Sequence, residues 1–162
     1  MGNTIVETQI RDVNEFLKAT VLRLEEYLNS TTLQAMLEAE PGDEGYYRQV
    51  LGTIRKLTVF CEEGLEACQI VSKPNPFSKG AAEKTLYRIY IHCIEEFYSP
   101  KNDIWYEDSR AAYTGKNAIK FRETVPAAVK ELLLSLEGDF QKMREELEYY
   151  ETDYRTKMLQ SK

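Results

Sequence analysis

Apolar residues near the two ends of the chain recur with helical spacing. Val6, Ile10, Val13, Leu17, Thr20, Leu24 and Tyr27 stand alternately four and three apart, the seam of a heptad repeat, which predicts a helix over about residues 4–28. Val129, Leu133, Leu136, Phe140, Met143, Leu147, Tyr150 and Tyr154 repeat the same spacing without a break. With Thr124 placed to cap and Pro126 in the first turn, they predict a second helix over about 125–159. At 1.5 Å per residue it would extend about 50 Å, so its end either projects or pairs with the N-terminal seam.

The intervening pattern is less regular. Thr31 or Thr32 can cap a short helix to about Ala39, and Pro41-Gly42 ends it. Asp43 is placed to cap another helix carrying Tyr47, Val50, Ile54 and Leu57. The stretch LTVFCEEGLEACQIV (57–71) sets β-branched and aromatic residues around Glu-Glu-Gly and reads as a hairpin. KPNPFSKG (73–80) is a loop, and TLYRIYIHCIEEFY (85–98) reads as a strand ending at the turn SPKND. DIWYEDSRAAY (103–113) and AIKFRE (118–123) flank the turn TGKN as a further hairpin.

These elements predict one α+β domain over residues 1–162. It has N-terminal helices, an antiparallel sheet of about five strands within about 55–123, and a long C-terminal helix. A mostly helical bundle is the alternative, because residues 46–72 and 81–97 can also be written onto helical faces through Val50, Ile54, Leu57, Cys61 and Cys68.

Composition narrows the function classes. With 43% hydrophobic and 30% charged residues, the chain has the make-up of a soluble globular protein. The net charge of −6 falls mainly on the two ends, which disfavours a duplex-DNA binder. Cys61, Cys68 and Cys93 form no metal-type spacing, and one histidine cannot complete a zinc set. The start MGNTIVETQI has neither a basic nor an apolar leader region, and no apolar run could span a bilayer, so the expected location is cytoplasmic.

His92 beside Cys93 is the first chemical candidate. In a strand the two point to opposite faces, which removes a nucleophile–base pair and sends Cys93 to the core. His92 with Glu96 or Tyr90 remains the only enzymatic reading. Arg88, Tyr90, His92 and Tyr98 would share the other face, joined by Lys120 and Arg122 from a neighbouring strand. Cations interleaved with aromatics on an open sheet suit single-stranded nucleic acid. The aromatic cluster around Trp105, Tyr106 and Arg110 reads either as a binding groove or as core. TGK (114–116) is not a phosphate loop, because Arg110 stands where a glycine is required. No metal or cofactor set is legible. The acid pairs Glu25-Glu26, Glu62-Glu63, Glu95-Glu96 and Glu145-Glu146 read as solvated surface. The acidic stretch EELEYYETDY (145–154) would repel a copy of itself and favour a basic partner.

The expected function is a non-enzymatic binding or assembly protein, self-associating through its terminal helices or engaging a protein partner, with the nucleic-acid reading as first alternative. From DIWYEDSRAAYTGKNAIKFRE through REELEYYETDY, and at the opening MGNTIVETQ, the sequence resembles the YpuI-type proteins of Bacillus and relatives. That resemblance implies a bacterial cytosolic protein and carries over no catalytic residues.

Overall fold

A computed structural model describes residues 2–108 and 117–161. Helix α1 (Asn3–Asn29) buries the predicted seam, Val6, Ile10, Val13, Leu17, Thr20 and Leu24, together with Gln9, Phe16 and Val21. It stops where the Ser30 amide and hydroxyl both donate to the carbonyls of Glu26 and Tyr27. Thr32 caps α2 (Leu33–Ala39), accepting the Ala35 N–H at 3.0 Å. Asp43 caps α3 by accepting the Tyr46 N–H at 2.7 Å.

The predicted five-stranded sheet is overturned. Helix α3 (Glu44–Ser72) runs straight through the expected hairpin at 57–71. Val50, Ile54, Leu57, Cys61 and Cys68 keep one buried helical face, as in the bundle alternative. Gly64 is not a turn residue. A Cβ there would lie 3.0 Å from Leu17 Cδ1 and 3.1 Å from Ile89 Cγ1, so the glycine lets three helices approach closely.

The expected strand at 85–98 is also helical. Ser78 caps α4 (Lys79–Ile89), which passes into a π-helical turn (Tyr90–Glu95) and a short α5 (Glu96–Tyr98). Leu86, Ile89, Tyr90, Cys93, Ile94 and Phe97 are all buried, a three-and-one spacing that only a helix puts on one side. Burial of that stripe outweighs the modest strand preference of its isoleucines and tyrosines.

Among the described residues the only sheet is the antiparallel pair β1 (Trp105–Glu107) and β2 (Ile119–Phe121), with Tyr106 opposite Lys120. These strands lie within the predicted second hairpin; its turn TGK, with Arg110, lies outside the described residues. Helix α6 (Ala127–Glu146) starts behind Pro126, two residues beyond the expected cap at Thr124.

The unbroken C-terminal rod is not formed. The helix is interrupted at Leu147, with φ −101° and ψ 13°, and resumes through a second π-helical turn (Tyr150–Tyr154) and α7 (Arg155–Gln160). At the interruption the Tyr150 N–H bonds to the Leu147 carbonyl, and the Gln9 side chain of α1 donates instead to the Glu146 carbonyl. Phe140 packs edge-on against Phe16 and stacks at 3.9 Å on Phe97. Both predicted seams are therefore spent on the chain's own core. Among the described residues no helix is long and apolar enough to cross a membrane.

Candidate functional site

The two π-helical turns meet face to face. The Tyr90 hydroxyl, from the first, donates to Glu151 Oε2, from the second, at 2.9 Å. Beside this bond lies an open groove of about 640 Å³, with Tyr90 and Ile94 on the first turn, Tyr98 on α5, and Glu145, Glu148 and Glu151 along the C-terminal run. The three glutamates stand three residues apart in sequence, and all three line the opening across the interruption at Leu147. π-Helical turns are rare in proteins and collect at functional sites.

Arg144 organises one end of the groove. Its guanidinium lies 3.7 Å over the Tyr98 ring and forms a two-point ion pair with Glu107 of β1 at 2.9 and 2.7 Å. Glu95 lines the same groove and pairs with Arg155 at 3.8 Å. Burial raises the Glu95 carboxyl above its ordinary range; Arg155 opposes that shift and Glu151 adds to it. Burial, followed by the hydrogen bond to Glu151, pushes the Tyr90 hydroxyl up, and burial does the same for Tyr98. Both phenols stay protonated donors.

The predicted sheet face does not exist, because Arg88, Tyr90, His92 and Tyr98 lie on the helical run from α4 to α5, while Lys120 lies on β2. Arg88 and His92 instead edge a separate cleft between α3 and α4, where the exposed His92 ring sits 5.1 Å from Phe60. Tyr90 and Tyr98 are buried and reach the acidic groove. Glu96 is buried and paired with Lys56 at 3.7 Å, so it departs from the solvated reading of the acid pairs. Cys93 is in the core, its thiol raised by hydrogen bonding with Cys61 and then by burial; burial alone pushes Cys68 up to about 12.

Trp105 is core, its indole donating to the Phe97 carbonyl at 2.6 Å. Tyr106 and Lys120 line a different groove, between the two-stranded sheet and α6. Arg122 lies 4.2 Å over the Tyr106 ring and pairs with Asp103 at 2.9 Å. Arg110 lies outside the described residues. The eight described candidates thus scatter over three surfaces and the core. Sequence reasoning passed over Arg144, Glu148 and Glu151 as contributors to a site, although Glu145, Glu148 and Glu151 already stood at regular three-residue intervals. Among the described residues no group of three or more His, Cys, Asp or Glu could hold a metal ion.

The chain is 49% identical over 151 residues to the "Uncharacterized protein YpuI" of Bacillus subtilis strain 168, an alignment covering 93% of this chain and 84% of that protein. No solved structure matches it. A family model described as "Protein of unknown function (DUF3907)" matches residues 10–156, and the chain belongs to that family.

Proposed function

We propose that this protein is a non-enzymatic binding protein that receives a basic segment of a protein partner in the groove where its two π-helical turns meet. One observation carries the reading. The Tyr90–Glu151 bond ties the turns together while Glu145 and Glu148, both exposed, present carboxylates along the same opening. Among the groove residues four glutamates stand against one arginine, and that arginine is already engaged by Glu107. Tyr90 and Tyr98, both buried, and Tyr98 covered by Arg144, form the base of the groove and leave recognition to the carboxylates.

Binding is favoured over catalysis by the state of the reactive side chains. The thiol shifts of Cys68 and Cys93 keep both from acting as thiolates. His92 faces Phe60, and Glu96 is taken up by Lys56. Assembly through the terminal helices would need apolar seams that the chain already buries. The groove's acidity repels phosphates, which turns it away from nucleic acid.

The test is a fluorescent lysine-rich peptide titrated at low salt. Affinity in the micromolar range, falling steeply with added salt, is expected, with about a tenfold loss for Glu145→Lys and again for Glu148→Lys. Absence of binding at low ionic strength, or binding indifferent to both reversals, would exclude the reading.

A further inference from the structure

Glu137 of α6 is 3% exposed, in the company of Leu133, Leu136 and Phe140. Its Oε1 accepts the Ala118 N–H at 3.1 Å, which fastens the start of β2 to the helix. Its Oε2 is buried with no hydrogen-bond partner among the described residues. A buried carboxyl oxygen left bare costs about 1–3 kcal/mol, so such atoms ordinarily have a partner.

Glu137 also lines the groove of about 610 Å³ between the sheet and α6. Its apolar lining is Ile119 and Phe121 on β2, and Leu133 and Leu134 on α6. Leu134 is 51% exposed and lies outside the core. The rim is balanced, with Lys120 and Lys130 against Glu123 and Glu131, so no net field at the mouth selects the ligand. What selects is Glu137, whose Oε2 is closed to solvent and without a partner among the described residues, so that a donor seated beside the apolar lining gains a hydrogen bond on reaching it.

We propose that this groove binds a small primary amine with an apolar body, its N–H donating to Glu137 Oε2 and its hydrocarbon lying along Leu133, Leu134 and Phe121. An anion would meet the carboxyl oxygen, and a bare cation would leave the walls unused. A metal ion would find only one buried acid there. This site is separate from the acidic groove, on different residues, and stands or falls independently of the basic-peptide reading.

The probe is phenethylamine, titrated into the full-length isotope-labelled protein near neutral pH, with 2-phenylethanol as the match lacking the amine. Saturating amide shifts at Ala118, Ile119, Leu133 and Leu134 are expected, with a dissociation constant of about 1 mM for so small a ligand. The alcohol binds at least about fivefold more weakly. Glu137→Gln keeps an oxygen for the Ala118 N–H but loses the second acceptor, and weakens phenethylamine about tenfold. Leu134→Trp, at an exposed wall position, fills the groove and abolishes the shifts while the melting temperature holds. The proposal is overturned if the shifts do not saturate by about 20 mM or fall elsewhere. It is overturned equally if the alcohol matches the amine, or if Leu134→Trp, still folded, binds as the parent does.

Discussion

Gln9 and Tyr150 form a buried hydrogen bond of 2.8 Å, hydroxyl to amide oxygen, across 141 positions of sequence. The same amide donates through Nε2 to the Glu146 carbonyl at 3.3 Å, the group left over where the C-terminal helix breaks. One polar side chain beside the heptad seam of α1 thus joins the two ends of the chain. Gln9→Leu strands both the hydroxyl and the carbonyl, and a loss of about 2 kcal/mol in denaturant unfolding is expected. Tyr150→Phe alone should cost about 1 kcal/mol, by leaving the Gln9 oxygen bare. In the double variant the two losses should add to less than their sum, because both report one contact. Strict additivity would mean the bond contributes nothing.

Glu146 supplies a pH dependence. Burial, then the nearby Asp12 carboxyl of α1, raises its pKa from 4.5 to about 7. The folded value lies above the unfolded one. The neutral carboxyl therefore gives its full stability below about pH 4.5, and that stability is lost as pH rises through about 7. Glu146→Gln removes the titration. Its melting temperature should exceed the parent's at pH 8 and coincide with it near pH 4. The gain at pH 8 should be about 1 kcal/mol, since the half-exposed carboxyl is partly screened by solvent. A constant offset between the two proteins across that range would contradict the assignment.

Two helical glycines should respond oppositely to alanine. At Gly64 the new Cβ meets Leu17 and Ile89 at 3.0 and 3.1 Å, and both neighbours are in the core, so Gly64→Ala should destabilise by about 1–3 kcal/mol despite the better helix propensity. At Gly138 of α6 a Cβ meets nothing within 4 Å. Gly138→Ala should therefore stabilise by about 0.5–1 kcal/mol, read as a higher melting temperature. Equal effects of the same sign would show that propensity, not packing, governs both.

Heptad spacing carried the ends of the chain. Val6 through Leu24 and Val129 through Phe140 are buried where the pattern placed them. It failed in the middle because strand propensity and helical burial compete over the same residues. In YRIYIHCIEEFY the isoleucines and tyrosines suggest a strand, while Ile89, Tyr90, Cys93, Ile94 and Phe97 fit a helical stripe just as well. The deciding contact was long-range. Gly64 opens room for Ile89, and nothing local in Glu-Glu-Gly distinguishes that service from a turn. The acidic groove was half legible. The 145–154 stretch announced its charge, but Tyr90 and Tyr98 were assigned to a sheet face, and the interruption at Leu147 left no local signal. Its cause lies in part at Gln9, far away in sequence.

Arg144 closes one end of the groove. It lies over Tyr98, grips Glu107 of β1 at two points, and so ties α6 to both α5 and the sheet. A lysine at that position keeps the charge but loses the planar fork and most of the stacking. Arg144→Lys should lower stability by about 1 kcal/mol and alter the near-ultraviolet circular dichroism of the Tyr98 environment. Glu107→Gln should produce most of the same stability loss, and the two changes combined little more, since they break one pair. The basic-peptide reading adds a second measurement. Arg144→Gln removes the cation from a groove edged by four glutamates, and the lysine-rich peptide should then bind about threefold more tightly at low salt. Weaker binding of the lysine-rich peptide by a folded Arg144→Gln protein would mean that Arg144 shapes the site rather than opposing the peptide's charge, and would count against the electrostatic reading.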